Sequence, residues 1–205
     1  MNSDYKPPRL SETERIRVLR RQLLSDEWAR LEQVKFDYLR SDGTWQTQQR
    51  EIYHRGHGAA ILLYNLNLST IVLTRQFRFP AWEIDGQGFL LEVPAGIIEG
   101  QNAMETACLE AEQETGFVVR NAQFLYQAFA TPGSVTEQLS YFAAAYDPEN
   151  RTGEGGGVHD EGEDIEVLEV PVEKALRWVA DGTIRDAKTI ILLQYAQINI
   201  FNSPG

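Results

Sequence analysis

Short apolar runs of strand length, closed off by Gly, Pro or Asn, recur through this chain, and only a few stretches carry the period of a helix. Val34, Phe36 and Tyr38 alternate with Lys35 and Asp37, the period-two pattern of a half-buried strand. Ser41-Asp42-Gly43 is a hairpin signal, and a polar strand over residues 44–54 returns from it. Residues 58–66 and 70–77 form two further strands joined by a short polar turn, and residues 90–93 another just before Pro94. Strands over residues 117–130 and 139–146 flank Thr131-Pro132-Gly133, and residues 165–172 add a last one. Helices are expected at residues 102–115, 173–180 and 187–201. Residues 12–24 satisfy two patterns at once: Ser11 and Glu14 make a capping box, while Ile16 and Val18 alternate with Arg15 and Arg17 as in a strand. Many strands with few helices give an α+β or sandwich-like domain.

With 205 residues, 42% of them hydrophobic, the chain can bury a core of its own. The formal charge of −11 argues against a nucleic-acid backbone or an anionic membrane surface as main partner, since both call for clustered Lys and Arg. Cys108 is the single cysteine, which excludes an internal disulfide and suits a reducing compartment. No apolar run approaches the ~18 residues of a membrane span, and the first residues lack the apolar segment of a secretory signal. A cytoplasmic protein is the expectation.

The charge is not spread evenly. Between Arg78 and Arg120 there is no Lys or Arg but there are eight acidic side chains. Several fall on the helix at residues 102–115, where Ala103, Ala107 and Ala111 recur every four residues and Gly116 supplies the stop. Glu110 and Glu114 lie four apart and project from one face, expected to point away from the alanines. Like charges at that spacing cost a helix about 0.2–0.5 kcal/mol per pair, and negative charge near its C-terminus costs about 0.3–1 kcal/mol more. A divalent cation removes both penalties. Carboxylates without His or Cys select a hard ion, Mg²⁺ or Mn²⁺, which takes one or two protein carboxylates and fills its shell with water and phosphate oxygens. His54, His57 and His159 have no ligand spacing of their own, and Gly155-Gly156-Gly157 lacks the Lys and strand–helix context of a nucleotide loop.

At these residues the chain resembles the Nudix hydrolase superfamily, whose signature is Gly, five residues, Glu, seven residues, then Arg-Glu-apolar-x-Glu-Glu-x-Gly-apolar. The segment AGIIEGQNAMETACLEAEQETGF matches it at Gly96, Glu110, Glu114 and Gly116-Phe117. It is one residue shorter than the general pattern, which resembles the GDP-mannose hydrolase branch. EIYHRGHGAAILLYN, TRQFR, TPGSVTE, GGGVHDEGEDIEVLEV and GTIRDAKTIILLQY resemble that branch in the same order, so the likeness runs from about Arg21 to Tyr195.

The resemblance implies an α/β/α sandwich with a mixed sheet over residues 56–205. It also implies an N-terminal antiparallel β region over residues 1–55 used in homodimerisation. It implies Mg²⁺-dependent hydrolysis of a nucleotide sugar, GDP-mannose to GMP and mannose 1-phosphate. Carried over position by position, the backbone carbonyl of Ala95 (beside Gly96) with Glu110 and Glu114 would hold metal. Glu163 would be the remaining metal ligand or the base, with Asp160, Glu161 and Asp164 as alternatives in the same loop. Arg78 and Lys188 would contact phosphates or sugar, Glu137 would position substrate, and Gln49, Arg50 and Glu51 would reach across the dimer. Asn102, Leu109 and Gln113 depart from the signature, where Glu, a basic residue and Glu are usual. ADP-ribose or another nucleotide sugar as substrate, and a nucleotide-sugar-binding module with weak or lost turnover, stand as the alternative readings.

Overall fold

The computed structural model describes residues 11–201, which divide into two compact units. One comprises the chain through Gly56 together with Phe129–Glu137; the other comprises His57–Ala128 and the chain from Gln138 onward.

The first unit is an antiparallel meander of β1 (Ile16–Asp26), β2 (Arg30–Leu39) and β3 (Trp45–His54), in that spatial order. Both patterns seen near its start are realised in succession. Ser11 and Glu14 close a single 3₁₀ turn over Thr13–Arg15 through reciprocal hydrogen bonds, and β1 begins at the next residue. The Asp42 carboxylate accepts the Thr44 N–H, and Gly43 at φ +84° completes the β2–β3 hairpin. β1 leaves Ile16, Val18, Leu19, Leu23 and Leu24 exposed. The Tyr53 N–H donates to the carbonyl of Ser134, in the second stretch of this unit, and Tyr53 bridges Val135 there.

The second unit is built on β4 (Gly58–Asn65), β5 (Thr70–Phe77), β6 (Phe89–Glu92), β7 (Ala95–Ile97), β8 (Gln123–Phe129), β9 (Gln138–Ala145) and β10 (Glu166–Pro171). The sheet runs β10-β5-β4-β9-β8, with β6 on β5 and β7 on β4; β4 and β9 are parallel and the β10–β5 and β4–β5 pairs antiparallel. It is the mixed sheet expected of the α+β class. The apolar run of β4 is continuous because both of its faces are covered. Ala60 and Leu62 join one core with Leu192, Leu193 and Ala196, while Ala59, Ile61 and Leu63 join another with Ala107 and Ala111. The helices α2 (Ala103–Thr115), α3 (Val172–Ala180) and α4 (Ala187–Ala196) thus lie on opposite faces, α2 on one and the other two on the second, as three layers.

Three local expectations differ. A short helix, α1 (Phe79–Asp85), and the three-residue strand β7 carry too few residues to show a period. The strand expected from residue 117 begins at Gln123; Phe117 instead turns into the α2-side core with the Arg151 guanidinium over its ring. Among the described residues no helix is long and apolar enough to cross a membrane.

Candidate active site

Asn102 caps α2 with a complete capping box to Glu105, so the helix starts at a fixed residue and its carboxylates follow at fixed angles. At about 100° per residue, a side chain three positions past an alanine of the stripe lies only about 60° round the helix from it. Glu110 and Glu114 therefore occupy the shoulder of the buried face, not the opposite side as their spacing alone suggested. Glu114 is buried and Glu110 half-buried, while Glu112 is exposed.

Across from them run Ala95 and Gly96 of β7. The Ala95 N–H donates to Glu114 Oε1 at 3.4 Å. Gly96 has no room for a side chain, since a Cβ there would stand 1.8 Å from Glu110 Oε1. The backbone at Ala95-Gly96 is thus pressed against both carboxylates. Burial raises the Glu114 carboxyl to about 8, and the Glu110 charge adds to this against the small opposing effect of the Ala95 N–H.

The glycine-rich loop closes the C-terminal end of α2. Gly116 at φ +76° ends the helix, the Thr152 N–H reaches the Gly116 carbonyl, and the Gly156 and Gly157 N–H groups reach the carbonyls of Glu114 and Gln113. A Cβ on Gly155 would meet the Glu114 carbonyl oxygen at 2.4 Å, and one on Gly116 the Gly153 carbonyl oxygen at 2.1 Å. Two backbones this close admit only glycine. Beyond this contact the chain turns through His159–Glu161, and the Glu163 carboxylate accepts the Val158 N–H at 2.8 Å. Glu163 is half-buried and its charge is felt at Glu114, whereas Asp160 and Asp164 are exposed.

Arg78 and Lys188 converge on a residue that sequence reasoning did not single out, Glu92. The Arg78 guanidinium grips it with Nε–Oε1 at 2.8 Å and Nη2–Oε2 at 2.9 Å, and Lys188 Nζ sits on Oε2. Burial alone would raise the Glu92 carboxyl, but the Arg78 hydrogen bonds and the Lys188 charge outweigh it and hold the group at about 2. No local signal marks Glu92, because its partners are 14 and 96 residues away in the chain.

The remaining expected residues belong to the first unit. Gln49, Arg50 and Glu51 lie on β3, and Glu137 is mostly buried with its Oε1 3.5 Å from Arg55 Nε. The oxygen-only donors around β7 and α2 suit a hard cation, and Gly96 leaves the space that Glu110 occupies. Among the described residues no three His, Cys, Asp or Glu side chains converge as a ready ligand set. What the structure brings together there is the Ala95-Gly96 backbone with the Glu110 and Glu114 carboxylates.

Residues 54–193 match the family described as NUDIX domain. The chain belongs to the Nudix family. It is accordingly a hydrolase, of a family that generally uses a divalent metal. Residues 15–53 match the family described as GDP-mannose pyrophosphatase NudK N-terminal domain. Among curated proteins this Nudix chain is 47% identical over 192 residues to a GDP-mannose pyrophosphatase of Pectobacterium atrosepticum, covering 93% of this chain and 98% of that one. It is 45% identical to a protein of the same name from Klebsiella pneumoniae and 47% identical to one from Yersinia pestis, each covering 89% of this chain and 91% of the relative.

Proposed function

We propose that this Nudix hydrolase cleaves the diphosphate bond of a nucleotide sugar, GDP-mannose, to GMP and mannose 1-phosphate. The observation that carries the reading is the Ala95-Gly96 backbone held against Glu110 and Glu114, a cradle of oxygens that no Cβ at position 96 could share. The names of relatives similar over nine-tenths of the chain support the substrate.

The Ala95 carbonyl, Glu110 and Glu114 are the residues to hold Mg²⁺ or Mn²⁺, with Glu163 as a further ligand or as the base. Such an ion, when bound, neutralises diphosphate oxygens and offsets the carboxylates. Arg78 donates its fork and Lys188 its ammonium to phosphate or sugar oxygens. Glu163 takes the proton of a water as its oxygen forms a bond to a phosphorus of the diphosphate; the bridging P–O bond breaks and leaves the second phosphate ester.

Residues 1–55 serve dimerisation and residues 56–205 hydrolysis. The exposed apolar side chains of β1 support a homodimer, across which Gln49, Arg50 and Glu51 reach substrate, while Glu137 helps to position it. The setting is the cytoplasm, in keeping with one cysteine and no pairing partner for it, and no nucleic acid or membrane is involved.

The test is product analysis with Mg²⁺ over GDP-mannose, ADP-ribose and other nucleoside diphosphate sugars. GMP and mannose 1-phosphate from GDP-mannose support the reading; preference for ADP-ribose, or binding without release of a phosphate ester, overturns it. Glu110→Gln is expected to lower turnover at least ~100-fold, and a wild-type rate removes Glu110 from the metal site.

A further inference from the structure

Glu92 is the last residue of β6, and its side chain is 4% exposed. Two cations from distant parts of the chain meet on it: Arg78, at the start of α1, and Lys188, in the first turn of α4. Lys188 Nζ also stands 3.0 Å from Asp186 Oδ1. The frame behind them is tied down as well. Val93 N–H donates to Thr189 Oγ1 at 2.8 Å, and Thr189 donates through Oγ1 and N to the Asp186 carboxylate at 2.6 and 2.9 Å. The strand carrying Glu92 and the helix carrying Lys188 are thereby joined one residue from the cluster on either side.

Two long, flexible side chains are thus held in single directions by one buried carboxylate. Arg78 spends its Nε–Nη2 edge on Glu92, and among the described residues no partner takes Nη1. Lys188 donates to Glu92 and lies in ion-pair range of Asp186. The four charges cancel, so the pair offers a diphosphate directed donors and little net positive charge. The Glu92 side chain meets the two cations, and its backbone carbonyl accepts the Thr74 hydroxyl of the neighbouring strand β5 at 3.2 Å.

We infer that Glu92 is a positioning residue, which holds Arg78 and Lys188 in the directions their remaining donors need at the diphosphate. The inference rests on the nucleotide-sugar hydrolysis proposed above. An opposite role is physically open: a carboxylate already on both cations competes with phosphate for them, and its removal then strengthens binding and speeds turnover. The two roles give opposite kinetics.

The experiment uses the full chain with Mg²⁺ and GDP-mannose, measuring kcat and KM for wild type, Glu92→Gln, the Arg78→Ala/Lys188→Ala variant and the three substitutions together. A misplaced group can cost on the order of 100-fold in rate, so Glu92→Gln is expected to lower kcat at least ~30-fold with KM within ~3-fold. Since Glu92 acts through Arg78 and Lys188, adding Glu92→Gln to the variant that lacks both side chains is expected to cost less than about 3-fold further. A purely structural role makes the two losses multiply, and that result overturns the inference. So does a Glu92→Gln variant that matches or exceeds wild type. Where Glu92→Gln does not fold, Glu92→Asp decides: it keeps the charge but draws the carboxylate back, with a kcat loss of at least ~10-fold expected and a wild-type kcat overturning. Wild-type inactivity on every nucleoside diphosphate sugar sinks the parent reading; an active wild type with an unaffected Glu92 variant sinks this inference alone.

Discussion

Glu114→Gln is expected to stabilise the metal-free protein in a way that grows with pH while abolishing its activity. The Glu114 carboxyl titrates at about 8 in the fold against 4.5 for the free group, because it is buried beside Glu110. A group raised in this way leaves stability intact below pH 4.5 and removes it as pH climbs through 8. At about 1.36 kcal/mol per pKa unit, the ionised carboxylate costs the fold roughly 4 kcal/mol more at pH 9 than at pH 5. Glutamine keeps the shape and an acceptor for the Ala95 N–H but does not ionise. Any constant cost of the substitution is the same at every pH, so the slope isolates the titration. The assay is urea unfolding in EDTA at several pH values between 5 and 9. Wild type is expected to lose stability steadily relative to Glu114→Gln, and Mg²⁺ at pH 9 to restore wild type but not the variant. Parallel curves refute the burial argument. Recovery by Mg²⁺ in the variant refutes Glu114 as a metal-holding group.

Gly96→Ala is expected to keep the fold, because the new methyl meets the end of the Glu110 side chain, yet to lower kcat at least ~10-fold by displacing that carboxylate. Steady-state kinetics beside a thermal unfolding curve separates the two effects. Gly155→Ala puts a Cβ against backbone at φ +73° and is expected to destabilise by about 2 kcal/mol or more, whereas Gly133→Ala, with open space around it, stays within about 0.5 kcal/mol by urea unfolding. Glu92 titrates at about 2 against 4.5 unfolded, so its contribution of about 3 kcal/mol is complete above pH 4.5 and lost as pH falls toward 2. Acid unfolding of Glu92→Gln is expected to lack that part of the wild-type decline.

The sheet was legible because its strands leave a period-two or fully apolar trace, and β4, covered on both faces, leaves the strongest. α2 was legible from its alanines and its stop. α1 and β7 were not, being too short for any period, although both carry or adjoin site residues. The packing of the acidic loop was not legible for a different reason. Its bonds to α2 run through backbone groups, and the only residue-level trace of such a contact is glycine, which equally marks a free turn. Glu92 left no trace at all, since its meaning depends on Arg78 and Lys188 arriving from elsewhere.

The same comparison explains why so acidic a segment folds. Of its carboxylates, Glu92 is compensated within the protein, by a fork and an ammonium that hold it ionised far below neutrality. Glu114 is not; among the described residues its one hydrogen-bond donor is the long Ala95 amide contact, and Glu110, Glu163 and Glu92 all push its proton affinity upward. A fold that neutralises one buried carboxylate and leaves the next uncompensated, a few residues from a backbone stripped to glycine, has separated two tasks. On the function proposed above, the compensated carboxylate fixes the cations that meet an anion. The uncompensated one would gain its counter-charge only when a cation arrives, which would tie occupancy of the site to the stability of α2 and of the loop that caps it.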